Sequence, residues 1–355
     1  MELNRRARTT AVTALAITVI ALLGTTAASA HTSAPAQSQG RTRITIMVGG
    51  INKIIYATAT LAKQLGYYEK AGVDIFPLDS PAGVEEADAL VAGQIDAAMG
   101  YYNHTIDLAG KGKATECVVQ IGLTPGHAIV VPTNSPIKSL ADLKGKVMGI
   151  TGTGSSTDFE MQYLGLRNGI QPSQFTRLPV GAGQTFIAAL QHGQIDGGIT
   201  SQPTIATLVA SGQAKILVDL QDNAQSKKAF GGTFPSTCIY MRTDYVNTHK
   251  ASVQKFVNAI VWTLKWIHSH TAAQIAAKMP SDYAGNDATL YTNAWQQTLG
   301  FYSSDGIMPK DGPITQYKVL AAFEPDLPGK HVKLSATYTN AFALQADKTK
   351  PPKAK

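Results

Sequence analysis

The chain repeats itself. Ala89-Leu90-Val91-Ala92-Gly93-Gln94-Ile95-Asp96-Ala97 returns as Ala189-Leu190-Gln191-His192-Gly193-Gln194-Ile195-Asp196-Gly197, exactly 100 residues later and without a gap. The flanking pattern returns with it: strand, polar turn, helix, strand, helix, Gly-Gln-Ile-Asp, strand, polar turn. A βαβαβ unit with right-handed crossovers yields a mainly parallel sheet covered by helices. Two such units in one chain predict two α/β lobes.

In the first unit, Arg43 to Val48 alternates toward a strand that ends in Gly49-Gly50-Ile51-Asn52. A helix is expected over 54–65, with Asn52 as its N-cap, then a turn over 67–72 and a strand over 73–78. A helix over 84–92 and a strand over 95–99 lead to Gly100-Tyr101-Tyr102-Asn103. In the second unit, a strand over 146–150 runs into Thr151-Gly152-Thr153-Gly154-Ser155-Ser156-Thr157-Asp158, and a helix over 158–168 follows. Later come a strand over 175–180, a helix over 184–192 and a strand over 195–199 that ends in Thr200-Ser201-Gln202-Pro203. Strands over 118–123, 128–131, 214–219 and 236–242 complete the β set. Val253, Phe256, Val257, Ile260, Leu264 and Ile267 form one stripe on a helix over 253–268, where Trp262 and Trp266 are assigned to core packing.

Open α/β sheets bind ligands at the carboxyl ends of their strands. The candidate ligand-binding residues are therefore Gly50, Asn52, Tyr101, Tyr102 and Asn103 in the first unit. In the second they are Gly152, Gly154, Ser155, Ser156, Thr157, Thr200 and Gln202. The loop over 151–158 admits two readings: a cradle of free first-turn amides and hydroxyls for a polar or anionic group, or a plain capped turn. Its likeness to G-x-G-x-x-G breaks at Thr157, which disfavours a dinucleotide. One of Tyr101 and Tyr102 should face the cleft while the other packs.

No catalytic residue, metal site or cofactor is expected. G-x-S-x-G, Walker and H-E-x-x-H motifs are missing. Asp96 and Asp196 hold the same place in the repeat and read as turn or cap residues. His104 and His127 lack metal-ligand spacing and read as structural. Cys117 and Cys238 are either packed thiols or a disulfide.

The first thirty residues read as a secretory signal, with Arg5, Arg6 and Arg8, a short apolar core over 11–23 and Ala28-Ser29-Ala30 before His31. No cysteine follows for lipid attachment, so a periplasmic protein is expected. Removing this segment takes two positive charges from a formal +7. The remaining charge is scattered, which speaks against nucleic acid as a partner. The expected organisation is a flexible lead-in over 31–42, first lobe over 43–127, second lobe over 128–236, a return with C-terminal helices over 237–346, and a disordered basic tail over 347–355.

Several stretches carry a resemblance. They are Leu65-Gly66-Tyr67-Tyr68-Glu69-Lys70-Ala71-Gly72-Val73, the two Gly-Gln-Ile-Asp segments, Pro125-Gly126-His127-Ala128, Ser139 to Lys146 running into Gly152–Thr157, and Tyr338-Thr339-Asn340. With these the chain resembles the periplasmic substrate-binding proteins of ABC importers, in the sulfonate-, nitrate- and thiamine-precursor-binding (NMT1/THI5-like) branch. The resemblance implies a type II-like two-lobed fold with two crossover strands, near 125–131 and 235–242. It implies a monomer that clamps a small solute and docks on an inner-membrane permease driven by its ATPase. Because Lys53 is the only basic residue near the four loops, a mono-anion or a neutral heterocycle is expected; a small sulfonate, an aromatic carboxylate and a pyrimidine-like compound stay open. Two alternatives share the fold. One is a sensor that presents its ligand to a receptor. The other is a pyrimidine-synthesising enzyme branch, from which this chain departs by its export signal and its two widely separated cysteines.

Overall fold

The computed structural model describes residues 40–324 and 327–355. The expected signal segment and most of the expected lead-in lie outside the described residues. Among the described residues, ten strands form two five-stranded sheets. In chain order they are β1 Thr42–Val48, β2 Val73–Asp79, β3 Ala97–Tyr101, β4 Thr115–Gln120, β5 His127–Pro132, β6 Val147–Ile150, β7 Thr176–Pro179, β8 Gly197–Ser201, β9 Ala214–Asp219 and β10 Thr237–Arg242. The sheet orders are β2-β1-β3-β10-β4 and β7-β6-β8-β5-β9.

These orders are one pattern used twice. β1 pairs in parallel with β2 and β3, as β6 does with β7 and β8. Each sheet then takes one antiparallel strand from the other half of the chain. β10 enters between β3 and β4, and β5 enters between β8 and β9. The match extends to register: Ile239 faces Met99, and Ile129 faces Ile199. Both inserted strands slip register at the same point, between Ile239 and Tyr240 and between Ile129 and Val130.

The repeated Asp explains part of this. Asp96 Oδ2 accepts a hydrogen bond from Thr45 N at 2.8 Å, and Asp196 Oδ2 accepts one from Val147 N at 2.8 Å. Each carboxylate ties the entry of the third strand to its parallel neighbour one residue before the ladder between them begins, where that N–H has no ladder partner. The expectation of a turn or cap role fits this geometry.

The first lobe has the larger core. Val253, Phe256, Val257, Ile260, Leu264 and Ile267, on the helix Lys250–His268, are all buried against β-sheet and helix neighbours. Each such side chain contributes on the order of 1.5–3 kcal/mol relative to exposure. Trp266 is buried and Trp262 half-buried; Trp262 meets Tyr67 edge-on at 6.0 Å.

Local departures from the sequence reading have local causes. The helix expected over 54–65 is a 3-10 turn, Ile54–Tyr56, followed by a helix Thr58–Gln64, and Asn52 caps neither. Residues 67–71 are a short helix rather than a turn, set between Gly66 and Gly72, whose φ values of +71° and +79° let the chain reverse at each end. The basic tail, expected to be solvated and disordered, lies against the first lobe. Trp262 Nε1 donates to Thr349 Oγ1 at 2.6 Å, Lys265 pairs with Asp347 at 3.0 Å, and Lys355 N donates to Leu65 O at 3.2 Å. Cys117 and Cys238, on neighbouring strands, are buried free thiols.

Replacing Asp96 or Asp196 by Ala should cost about 1–2 kcal/mol each, because a ladder N–H loses its acceptor. The two losses should add, since the sites lie in different sheets. Urea unfolding of the two single variants and the double variant measures this, and an unshifted midpoint in either single variant contradicts the assignment.

Candidate functional site

The carboxyl ends of β1, β3, β6 and β8 meet between the lobes, around a cavity of ≈20 Å³. That is room for about one water molecule. The first lobe contributes Gly49, Lys53, Tyr56, Gly83 and Tyr101; the second contributes Thr151, Ser155, Ser156, Thr157, Thr200 and Ser201; His127 comes from the start of β5. The lobes touch here. Ser156 Oγ donates to Asn103 Oδ1 at 2.9 Å and lies 3.4 Å from His104 Nε2. Phe159, one turn further along the second-lobe helix Ser156–Arg167, packs into a first-lobe cluster.

The twelve residues singled out from sequence divide four ways. Tyr101, Ser155, Ser156, Thr157 and Thr200 line this cavity. Gly50 and Asn52 instead line a larger neighbouring cavity of ≈960 Å³, which shares Lys53 with the first. Asn103, Gly152 and Gly154 form the seam: Asn103 by its bond to Ser156, and Gly152 because a methyl there would stand 3.0 Å from Ala82 Cβ of the opposite lobe. Gly154, at φ +77°, donates its N–H to Asp158 Oδ2 at 2.9 Å. Tyr102 and Gln202 point away. Tyr102 packs edge-on to Tyr338 and bonds Thr337 Oγ1 in the first-lobe core. Gln202 donates from Nε2 to Gln297 Oε1 at 2.6 Å and accepts from Ala206 N at 3.0 Å. Of the two adjacent tyrosines, Tyr101 faces the cleft.

Sequence reasoning passed over Glu160 and Glu86 and read His127 as structural. Tyr101, His127 and Glu160 form a chain from the first lobe through β5 to the second. The Tyr101 hydroxyl lies 2.9 Å from His127 Nε2, and His127 Nδ1 lies 2.9 Å from Glu160 Oε2. The Tyr101 and His127 rings stack at 5.1 Å. Glu160 sits one helical turn after Ser156, on the helix face that is buried against β5. Glu86 is fully buried on the helix Gly83–Val91, and neither of its carboxyl oxygens has a hydrogen-bond partner. Its sole sequence signal is an acidic residue between Val84 and Leu90 on a face that otherwise packs.

The electrostatics follow from burial. Burial lowers the Lys53 ammonium to about 8, with Glu86, Asp79 and Glu85 pulling in the other direction. Burial lowers the His104 imidazole to about 4, partly opposed by Asp107. Burial also pushes the Glu86 carboxyl well above the ordinary range, with Lys53 opposing. Among the described residues, no group of three or more His, Cys, Asp or Glu is placed to hold a metal ion.

A family model described as NMT1/THI5-like matches residues 55–273. The chain belongs to the NMT1/THI5-like family. Its fold is that of the periplasmic binding proteins. A solved protein of Bordetella bronchiseptica RB50 is 32% identical, superposes with a TM-score of 0.83, and covers 88% of this chain and 99% of its own. The alkanesulfonate-binding protein of Xanthomonas axonopodis pv. citri, solved with MOPS, is 19% identical with a TM-score of 0.68, over 86% of this chain and all of its own. A curated relative, the 4-amino-5-hydroxymethyl-2-methylpyrimidine phosphate synthase of Schizosaccharomyces pombe, is 26% identical over 71% of this chain and 78% of its own. The chain is thus similar both to binding proteins and to a protein named as an enzyme.

The two buried groups give opposite pH dependences. Between about pH 6.5 and 4 the unfolded chain binds a proton that folded His104 refuses, so stability falls as pH falls. Above about pH 4.5 the folded chain keeps a Glu86 proton that the unfolded chain releases, so stability falls as pH rises. Relative to the parent, His104→Gln should gain up to about 3 kcal/mol on going from pH 6.5 to 4, and Glu86→Gln should gain on going from pH 5 to 8. Urea midpoints across that range test both; a stability difference that stays flat with pH for either variant refutes its half.

Proposed function

We propose that the protein is the substrate-binding component of an ABC importer, which captures a small polar organic solute between its lobes and delivers it to a membrane permease. One observation carries this reading. Loops from the carboxyl ends of strands in both sheets converge on one buried polar cavity, and the lobes that bear them are joined through exchanged strands. Such a joint lets the halves open and close as bodies, so a ligand that touches both favours the closed form. The sulfonate-binding neighbour of the same fold supports a solute as cargo. Export to the periplasm, suggested by the first thirty residues, and action as a monomer belong to the same reading.

Binding without chemistry is the favoured role. The hydroxyls of Thr151, Ser155 and Thr157 bond one another at 2.8–2.9 Å rather than a basic side chain. The second reading, catalysis, draws on the relative named as a synthase and on the buried His127–Glu160 pair.

Mass spectrometry of the purified protein should reveal a co-purified small molecule, and its recovery unchanged after incubation separates capture from catalysis. That molecule should raise the melting temperature as its concentration exceeds its dissociation constant. Ser155→Ala combined with Thr157→Ala should weaken its binding by about 1–3 kcal/mol, because the cleft loses polar partners. Calorimetry that returns the parent affinity for the double variant would sink this location of the site.

A further inference from the structure

The inner cavity is too small to enclose an organic solute. At ≈20 Å³ it takes about one non-hydrogen atom. The neighbouring cavity of ≈960 Å³ lies in the same crevice. Gly50, Ser80, Gly181 and Pro203, each just past the end of β1, β2, β7 or β8, stand on its wall. Both lobes therefore face it with the carboxyl ends of strands, where α/β sheets bind ligands. Cavities of about 300–1,000 Å³ enclose drug-sized molecules.

Lys53 joins the two cavities. Gly49 lines the inner one, Gly50 the outer one, and Lys53 both. Its stem lies against Gly50, where a methyl would stand 2.5 Å from Lys53 Cε. Its ammonium donates to Gly49 O at 2.6 Å and has protons left over. Further in, Thr200 Oγ1 lines the inner cavity without a hydrogen-bond partner, on a residue 1% exposed. Buried hydroxyls are rarely left so, and one polar atom reaching past Lys53 would complete this one.

The outer chamber has a third wall that belongs to neither repeat. Asp282, Tyr283, Leu290 and Tyr291 come from the C-terminal segment, beyond the residues 55–273 that the family model matches. That segment is fixed to both lobes. The Tyr283 hydroxyl lies 2.9 Å from Thr60 Oγ1 of the first lobe, and Gln297, on the helix Ala288–Thr298, accepts from Gln202 of the second at 2.6 Å. The tyrosines and Leu290 offer apolar surface. Asp79, Asp282 and Asp287 set three carboxylates around the chamber, against Lys53 as the one cation among its lining residues. A negatively charged body is disfavoured there.

Building on the reading of this cleft as a solute site, we propose that the solute is a drug-sized organic molecule without negative charge on its body, which lies in the outer chamber against Tyr283 and Leu290 and passes one polar atom beyond Lys53 to Thr200. The wall over 282–291 is then the specificity-determining element, and ions as small as nitrate or ethanesulfonate are not the cargo.

The test uses the full chain. Native mass spectrometry should find a co-purified organic molecule larger than either ion. After refolding to strip it, its rebinding should be weakened at least tenfold by Ala284→Trp, which fills the chamber from the C-terminal wall, and by Thr200→Val, which removes the inner hydroxyl. Should Ala284→Trp fail to fold, Ala182→Trp fills the chamber from the second lobe. If nothing co-purifies, 4-phenylbutylamine and 4-phenylbutanamide serve as long probes, ethylamine and acetamide as their short counterparts, and nitrate and ethanesulfonate as anions. A long probe should raise the melting temperature more than any short probe or anion, and the folded tryptophan variant should lose that gain. A small anion that co-purifies or binds more tightly, no response to either long probe, or parental affinity in the folded tryptophan variant overturns the proposal. A small anion whose binding falls with Ser155→Ala and Thr157→Ala but not with Ala284→Trp leaves solute capture standing; a protein that yields no co-purified molecule and binds no probe counts against both readings.

Discussion

Each sheet of this protein is incomplete without the other half of the chain. β5 belongs by sequence to the end of the first unit and by hydrogen bonding to the second sheet; β10 does the reverse. An inserted antiparallel strand satisfies the backbone groups of two parallel neighbours at once, so neither lobe can close its ladder alone. Everything at the cleft follows from this exchange. The two connections pass side by side, bonded through Ser236 N to Gly122 O at 2.9 Å, and His127 begins the first exchanged strand where both lobes can reach it. The carboxyl ends of the parallel strands are thereby held face to face, and the helix starts that follow them have nowhere else to point.

The hydrogen-bonded and the orphaned carboxylates show two ways of placing charge in such a frame. Asp96 and Asp196 sit at corresponding places and are satisfied by strand amides, so they specify register. Glu86 has no counterpart that completes it. Its burial beside a wall of glycines costs stability, because neither oxygen finds a hydrogen-bond partner.

The frame was readable because it is repeated. Gly-Gln-Ile-Asp at positions 93–96 and 193–196 carried the turn, the first residue of a buried strand and its carboxylate, and the alternation around it carried the sheets. Tyr101, Ser155 and Thr157 could be assigned to strand ends for the same reason. What escaped was set by contacts between residues distant in sequence. Nothing near Asn52 says that Lys53, rather than Asn52, will turn inward. Nothing near Tyr102 reveals Thr337 and Tyr338, which draw it into the core. Gln202 resembled a cleft residue by position, but its amide is consumed by Gln297, almost a hundred residues away. Glu86 and Glu160 lie inside ordinary helices, where an acid reads as part of a solvated face until the fold covers it.

The register slips at Ile129/Val130 and Ile239/Tyr240 bear on how such a chain is built. A kink that recurs at the same step of two exchanged strands marks one structural unit used twice, down to its irregularities. A single copy of that unit would carry a gap in its sheet and a strand with no place of its own. Only a second copy could repair both, by trading strands as swapped dimers do. Joining the copies in tandem makes that trade internal, so it no longer depends on protein concentration. The two-lobed fold is in this sense laid out like a strand-swapped dimer on one chain, with the cleft in the place of the subunit interface.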